Sequence, residues 1–300
     1  MDKIKKVMLC GLGAIGTIYA LKLNEVCDFR VIADDSRRLR YEQNPTIFNG
    51  KACKFNYAGP GDCADLIIIA TKNNGFLRAV ESIKPFVNDS TLILSLLNGI
   101  ESEDILRKEF GDEKVLDSYF VGHTSTRLDR NITFDGVGKI VFGEKENKVL
   151  SKRVLLIKEL FDRAGISYEI PEDMDYSRWY KFMINVGTNQ ASAVLTAPYK
   201  LFQESKPAMD FAKNLMKEAE LLAKLEGVKN AEKMLPEAVQ TIMSMLPETK
   251  TSMLQDIEAK RPTEADIFAG TIIKLAEKYS VDVPYNRVVY DIIKAKESAF

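Results

Sequence analysis

The sequence predicts an α/β domain of residues 1–170, followed by an all-α domain of residues 171–300. In the first part, apolar runs typical of buried parallel strands alternate with helical patterns. From residue 172 onward, nearly every segment has the apolar spacing of an amphipathic helix. A chain of 300 residues also exceeds the usual size of a single core, which favours two domains.

The first element is predicted to be a strand, a glycine-rich turn and the start of a helix. In dinucleotide-binding folds, glycines with this GxGxxG spacing make the tight turn, admit a pyrophosphate to the backbone and let the helix pack on the strand. The phosphates lie at the helix N-terminus, where free N–H groups and the helix dipole favour an anion. We therefore predict a Rossmann-type dinucleotide-binding domain. Its cofactor-binding turn is formed by Gly11, Leu12, Gly13, Ala14, Ile15 and Gly16.

The second strand, residues 28–33, is followed by charged side chains that bear on the choice of cofactor. Asp34 would accept hydrogen bonds from the free ribose 2′-hydroxyl of NAD, whereas Arg37 or Arg38 would bind the 2′-phosphate of NADP. The residues alone leave NADP and NAD both open.

Two later apolar runs, residues 65–70 and 91–97, are predicted to be buried parallel strands. Each is followed by polar residues, and the carboxyl ends of parallel strands form the edge at which ligands bind. Lys72 and Asn98 are therefore expected at the cofactor edge of the sheet. The turn-rich residues 43–61 predict a small hairpin around residues 55–57.

Composition excludes several classes of function. The 42 basic and 43 acidic residues nearly balance, so no charge excess attracts nucleic acid or an anionic membrane. No apolar run is long enough to span a membrane. The four cysteines lack metal-ligand spacing and predict reduced thiols, with no metal site. We expect a soluble cytoplasmic protein, compatible with a homodimer. His123, the only histidine, is expected to be structural or peripheral.

In the second domain, Lys181, Asn185 and Asn189 are spaced by four and share one stripe of a predicted helix. Such a stripe is commonly a solvent face, but this helix is otherwise apolar, which favours contact with a ligand. Farther along, residues 251–257 predict a short helix that includes Ser252. Thr263 and Asp266 have capping-box spacing, which would place Glu264 in the first turn of a helix.

These motifs together resemble the ketopantoate reductase (2-dehydropantoate 2-reductase) family over essentially the whole chain. The resemblance implies NADPH-dependent reduction of 2-dehydropantoate to (R)-pantoate, on the route to pantothenate and coenzyme A. It implies Lys181 as the general acid and Glu264 as a second catalytic group. It also implies that Asn98, Asn185, Asn189 and Ser252 bind the 2-oxo acid, and that Lys72 and Asn98 contact the cofactor.

The chain departs from the family pattern at two positions. Asp34 stands where the family often has an arginine, and Gly75 stands where it often has a glutamine shortly after Lys72. The first departure leaves open an NAD-dependent D-2-hydroxyacid dehydrogenase, and a non-catalytic NAD(P)-binding sensor is a further alternative. Tyr290 and Lys294 match a Tyr-x-x-x-Lys dehydrogenase dyad, but their place near the chain end indicates an ordinary helix.

Overall fold

The computed structural model describes residues 3–122, 126–128, 131–133 and 138–300, so His123 lies outside the described residues. The chain divides into two compact units. The sheet unit comprises Met1–Asn98 and Ser102–Met174, and the helical unit comprises Gly99–Glu101 and Asp175–Phe300. An α/β unit followed by a helical unit confirms the predicted fold class.

The strands of the sheet unit are β1 (Lys6–Cys10), β2 (Asp28–Ile32), β3 (Ile47–Phe48), β4 (Lys51–Ala52), β5 (Asn56–Tyr57), β6 (Leu66–Ile69), β7 (Leu92–Ser95), β8 (Asp117–Gly122), β9 (Thr126–Leu128), β10 (Asn131–Thr133), β11 (Gly138–Gly143) and β12 (Tyr168–Glu169). Its helices are α1 (Ala14–Asn24), α2 (Asp35–Gln43), α3 (Phe76–Ile83), α4 (Ser102–Phe110) and α5 (Lys152–Arg163). Short 3₁₀ turns lie at Asn73–Gly75 and Lys84–Phe86.

A five-stranded parallel sheet in the order β5-β2-β1-β6-β7 forms the centre of this unit. Successive side chains of a strand point to opposite faces, and both faces are buried here. Val7 and Leu9 of β1 pack in one apolar cluster with residues of α1 and α5. Met8 and Cys10 pack in another cluster with residues of α3 and α4. Helices therefore cover both faces, which explains why these strands read as continuous apolar runs.

The remaining strands form two smaller sheets, in the orders β4-β3-β10-β9 and β12-β11-β8. The hairpin predicted around residues 55–57 is wrong. The hairpin joins β3 to β4 through Asn49 and Gly50, both of which have positive φ. Asn56–Tyr57 is instead the parallel edge strand beside β2. The Asn49–Gly50 pair is the turn signal of this hairpin, and it joins β3 and β4 rather than strands around residues 55–57.

The helical unit contains α6 (Met174–Ile184, whose first residue belongs to the sheet unit), a π-helical segment (Asn185–Asn189), α7 (Gln190–Leu195), α8 (Tyr199–Glu204), α9 (Lys206–Leu225), α10 (Met234–Ser244), α11 (Ser252–Glu258), α12 (Ala269–Tyr279) and α13 (Pro284–Glu297). Short 3₁₀ turns lie at Ala231–Lys233 and Ala265–Ile267. The 20-residue α9 buries an apolar stripe in the core of this unit, with Leu215 and Leu222 fully buried. The π-helical segment packs directly against α9.

Candidate functional site

The glycine-rich turn follows β1 and is shaped by close backbone contacts. Gly11 has φ +110°, and a Cβ there would lie 2.7 Å from the Ala70 carbonyl carbon and oxygen. A Cβ on Gly16 would overlap the Gly11 carbonyl oxygen. Only glycine satisfies either position, since one needs an unusual φ and the other leaves no room for a side chain. The turn therefore brings the start of α1 close to the ends of β1 and β6.

Gly13 differs from these two glycines because its surroundings leave space. It is the N-cap residue of α1 with φ −79°, and a Cβ there would approach protein atoms no closer than 3.7 Å, at the Ala70 carbonyl oxygen. No side chain caps α1, and its first turn contains no acidic residue. A helix end of this kind presents backbone N–H groups to an anion. The turn therefore fits the pyrophosphate of a dinucleotide, with Gly13 as the point of close approach.

At the end of β2, Asp34 and Arg37 contact each other. Asp34 is the N-cap of α2, where its Oδ1 accepts hydrogen bonds from the Arg37 backbone N–H at 2.8 Å and from the Ser36 hydroxyl at 2.7 Å. Its Oδ2 lies 3.6 Å from the Arg37 Nε. The hydrogen bonds from Ser36 and from the Arg37 backbone lower the pKa of Asp34, which keeps it ionised. Asp34 thus has a structural task in addition to any contact with a cofactor ribose.

Arg38 is held differently, although it is the next residue. Its Nε donates to Glu42 at 2.9 Å, and its guanidinium lies 5.6 Å from the centre of the Tyr57 ring. Of the two arginines that the sequence offers for a 2′-phosphate, Arg37 is thus the one paired with the residue at the strand end.

Lys72 and Asn98 follow adjacent parallel strands. Lys72 is the N-cap of the 3₁₀ turn that comes after β6, and Asn98 lies three residues beyond β7. Because β6 and β7 are hydrogen-bonded neighbours, both residues lie at the carboxyl edge of the sheet, as does the glycine-rich turn after β1. Lys72 is exposed and Asn98 is partly exposed.

In the helical unit, the helix that bears Lys181 changes from α to π geometry directly after it. Asn185 is 3% exposed and Asn189 7% exposed, so these amides are not part of a solvent face. A π-helical segment leaves backbone carbonyls without their usual partners and is frequent at functional sites. Here side chains fill that role: Thr188 Oγ1 donates to the Ile184 carbonyl at 2.8 Å, and Gln190 Nε2 donates to the Val186 carbonyl at 2.8 Å.

Gln190, which is fully buried, also connects this segment to other helices. Its Nε2 donates to Asn286 Oδ1 of α13 at 3.0 Å, and its Oε1 accepts the Ala269 N–H at the start of α12 at 3.0 Å. Asn286 Nδ2 in turn donates to Glu218 of α9 at 2.7 Å. Glu218 also accepts the backbone N–H groups of Tyr285 and Asn286, so it caps α13. This buried polar network joins four helices.

Lys181 and Glu264 interact electrostatically within this unit. Burial lowers the pKa of Lys181 below the usual value for lysine, and the Glu264 carboxylate opposes that change. A lysine with a lowered pKa gives up its proton more readily than an exposed lysine does. Such an ammonium group can donate a hydrogen bond, and then a proton, to a nearby oxygen.

The turn that carries Glu264 does not have the predicted capping box. Thr263 Oγ1 accepts the Ala265 N–H at 3.2 Å, and the Asp266 carboxylate points to α13. Glu264 is itself the N-cap of the 3₁₀ turn Ala265–Ile267 and precedes α12 by five residues. The prediction failed because partners on α13, distant in sequence, bind both polar side chains of the motif.

Asn189 and Ser252 meet across two helices. Ser252 begins α11, and its hydroxyl accepts a hydrogen bond from Asn189 Nδ2 at 3.1 Å. The predicted short helix at residues 251–257 is confirmed, and Thr251 caps it by accepting the Leu254 N–H. Within the helical unit, Asn189 and Ser252 are therefore joined by a hydrogen bond, while Glu264 lies within electrostatic range of Lys181.

Sequence reasoning missed the buried residues Gln190, Glu218 and Asn286. Their signal was present as polar residues at apolar positions of amphipathic helices, but nothing local indicated that they bind one another. Within the described part of the chain, no cluster of three or more His, Cys, Asp or Glu residues could hold a metal ion. The described helices include none with the length and apolar character needed to cross a membrane.

Two successive parts of the chain match the same protein family. Residues 7–147 match the family described as ketopantoate reductase PanE/ApbA, and residues 173–297 match its C-terminal part. The 2-dehydropantoate 2-reductase of Pyrococcus horikoshii is 27% identical over 299 residues, with 98% of each chain covered.

Solved structures share the fold. D-mandelate dehydrogenase, determined with NADH and anilino(oxo)acetate, superimposes with a TM-score of 0.85 at 21% identity, covering 98% of each chain. A dimeric ketopantoate reductase from Staphylococcus aureus superimposes with a TM-score of 0.80 at 18% identity, covering 98% of this chain and 99% of the other.

Proposed function

Because the chain belongs to the ketopantoate reductase family of oxidoreductases, we propose that it reduces 2-dehydropantoate to (R)-pantoate with NADPH, a step of pantothenate biosynthesis. The observation that carries this proposal is Lys181 on a helix that continues directly into the buried Asn185 and Asn189, with Glu264 within electrostatic range of the lysine. A partly buried lysine under the influence of a carboxylate suits the protonation of a carbonyl oxygen.

In this proposal a bound nicotinamide supplies the hydride, and the chain's own residues handle the oxygen and the proton. The Lys181 ammonium group donates a hydrogen bond to the 2-oxo oxygen and transfers its proton as negative charge develops there. Glu264 keeps Lys181 protonated by opposing the effect of burial. Asn185, Asn189 and Ser252 supply amide and hydroxyl groups for the polar parts of the substrate.

The cofactor would be held at the carboxyl edge of the sheet unit. The glycine turn of residues 11–16 takes the pyrophosphate, with Lys72 and Asn98 at the same edge. The ion pair between Arg37 and Asp34 supports NADPH, since Arg37 offsets the negative charge that would otherwise repel a 2′-phosphate.

A second candidate is an NAD-dependent D-2-hydroxyacid dehydrogenase acting on another 2-oxo acid. It is favoured by the Asp34 carboxylate at the end of β2, the position that binds the ribose hydroxyls of NAD in this type of fold. The structural likeness to D-mandelate dehydrogenase with NADH is in keeping with it.

Initial rates decide between these candidates. We would measure reduction of 2-dehydropantoate, benzoylformate and pyruvate with NADPH and with NADH. The proposal expects the highest kcat/KM for 2-dehydropantoate with NADPH. A higher value for another 2-oxo acid with NADH would establish the second candidate. Tight NADPH binding without turnover of any 2-oxo acid would contradict both and leave a non-catalytic sensor.

A further inference from the structure

One face of the C-terminal helix α13 contacts the turn that carries Glu264. Tyr290, Lys294 and Glu297 are spaced by four and three, so they lie on the same side of α13. They contact the residue before Glu264 and the second residue after it. This contact involves two segments of the same helical unit, about 30 residues apart in sequence.

Glu297 binds the residue before Glu264. Its Oε1 accepts the Thr263 backbone N–H at 2.7 Å and the Thr263 hydroxyl at 2.6 Å. Its Oε2 pairs with Lys294 at 3.0 Å, and only 13% of the Glu297 side chain is exposed. Burial by itself would raise the pKa of Glu297, but the hydrogen bonds from Thr263 lower it overall, so the group is an ionised acceptor. Shielded charge-assisted hydrogen bonds of this kind are stronger than neutral ones.

Tyr290 and Lys294 bind the residue on the other side of Glu264. The Tyr290 hydroxyl donates to Asp266 Oδ1 at 2.7 Å, and Lys294 lies 3.4 Å from Asp266 Oδ2. The hydrogen bond to Asp266 raises the pKa of Tyr290, which is the opposite of the change expected in a catalytic Tyr-x-x-x-Lys dyad. The structure therefore gives this pair a different task from the one that its motif would indicate.

Between these two anchors, the Glu264 backbone is also held locally. Its carbonyl oxygen accepts the N–H groups of Ile267 at 3.1 Å and of Phe268 at 3.2 Å. With Thr263 and Asp266 both bound to α13, the position of the Glu264 backbone relative to the rest of the helical unit depends on α13.

We propose that Glu297 is a positioning residue for Glu264, supported by Tyr290 and Lys294, and that it acts on the reaction through the placement of the Glu264 side chain. The inference rests on the proposed function, because it takes Glu264 and Lys181 as the groups that handle the proton. Displacement of a reacting group by about 1 Å can cost on the order of 10²-fold in rate, so a lost anchor has a measurable effect.

The test compares Glu297→Ala and Glu297→Gln with the control Glu277→Ala, a largely exposed glutamate on α12 whose side chain lies 3.8 Å from Arg287. Glu297→Ala is expected to lower kcat for 2-oxo acid reduction about tenfold, within the range for a displaced group, and to leave NADPH affinity unchanged. Glu297→Gln retains an oxygen acceptor for Thr263 and should recover most of the activity. Tyr290→Phe, which removes one hydroxyl only, should act in the same direction with a smaller effect.

The pH profile and a double mutant separate positioning from a general loss of structure. Glu264 opposes the lowering of the Lys181 pKa, so the fall in reduction rate at high pH should move to lower pH in Glu264→Gln and, to a lesser extent, in Glu297→Ala. In the Glu264→Gln background, Glu297→Ala should lower kcat no further. If Glu297→Ala lowers kcat in that background by the same factor as in the wild type, the proposal is overturned.

Amide hydrogen exchange gives a result that does not depend on activity. Peptides that cover residues 261–268 should exchange faster in Glu297→Ala than in the wild type or in Glu277→Ala. Unchanged exchange there would overturn the proposed anchor, whichever substrate the enzyme uses. If the wild type reduces no 2-oxo acid, the proposed function fails, and exchange still decides whether Glu297 anchors the turn.

Discussion

The two candidate regions of this molecule are built in different ways. In the sheet unit, the cofactor turn is formed by backbone, and two of its glycines are required because no side chain fits. In the helical unit, the predicted catalytic and substrate-binding groups are side chains, and buried side chains such as Gln190 set their places. The first design depends on the spacing of glycines along a short segment and on its close approach to the Ala70 backbone. The second depends on residues up to about 100 positions apart.

Substitutions should therefore act differently in the two regions. A side chain added to the turn acts through volume, either against the protein or against a ligand. A side chain removed from the helical unit leaves buried polar atoms without partners, or takes away a proton donor.

The largest effect is expected for Lys181→Ala. Loss of a general acid typically lowers kcat by about 10²-fold or more, and NADPH affinity should not change because the proposed contact of Lys181 is with the 2-oxo oxygen of the substrate. Steady-state kinetics and a fluorescence titration with NADPH measure the two quantities. Lys206→Ala on α9, whose side chain is 85% exposed, is the control. Turnover near that of the wild type would remove Lys181 from the mechanism.

The same residue predicts a pH dependence. Burial lowers the pKa of Lys181, so the wild-type reduction rate should fall as pH rises through that lowered value, below the usual lysine range. For stability the sign follows from proton binding: the unfolded state binds more protons between the lowered pKa and 10.5. The contribution of Lys181 therefore opposes folding at neutral pH and is relieved as pH rises. A reduction rate independent of pH up to 10.5 would contradict this prediction.

Two glycines of the cofactor turn should differ in the effect of substitution by alanine. Gly16→Ala places Cβ on the Gly11 carbonyl oxygen, and we expect a loss of stability of about 3 kcal/mol or more, at the upper end for overpacking. Gly13→Ala has room in the protein, so its melting temperature should change little, while NADPH binding weakens about tenfold or more because Cβ meets the pyrophosphate. Equal loss of stability in both variants would mean that Gly13 serves packing alone.

Gln190→Leu should destabilise the helical unit by about 1–3 kcal/mol, because it leaves the Ala269 N–H and the Val186 carbonyl without this partner. It should also raise the KM for the 2-oxo acid, since the π-helical segment bears Asn185 and Asn189. Denaturant unfolding and kinetics measure both effects. Gln203→Leu, which likewise removes two side-chain hydrogen bonds to the backbone, is the matched control and should leave KM unchanged. If the KM of Gln190→Leu equals that of Gln203→Leu, the network that contains Gln190 serves stability only.

The smallest effect concerns the cofactor. Arg37→Ala should lower the preference for NADPH over NADH about tenfold, which corresponds to one charge-assisted contact of ~1.4 kcal/mol. Arg38→Ala should change the preference for NADPH over NADH less, because Arg38 contacts Glu42 and Tyr57. Asp34→Arg should increase the preference for NADPH. If the wild type already prefers NADH, the second candidate function takes the place of the first.

Several elements could be predicted because their signals are local. The parallel strands were visible as apolar runs, and the glycine turn as a fixed spacing. The helix at residues 251–257 was visible from its pattern and has a threonine cap. The hairpin was misplaced because this short segment contains several turn signals. The hairpin forms at Asn49–Gly50, and Asn56–Tyr57 pairs with β2, a strand that is distant in sequence.

The amino-acid sequence alone is enough to predict the order of an α/β unit and a helical unit, the glycine turn, and the polar residues on the Lys181 helix. These follow from periodicity and steric rules that act over a few residues. Three features emerge only when the helices pack: Asn185 and Asn189 are buried in a π-helical segment, Glu297 accepts the N–H of Thr263 next to Glu264, and Tyr290 and Lys294 bind Asp266. The physical reason is that a buried polar group must find a partner, and the partner is set by how helices pack rather than by neighbours along the chain.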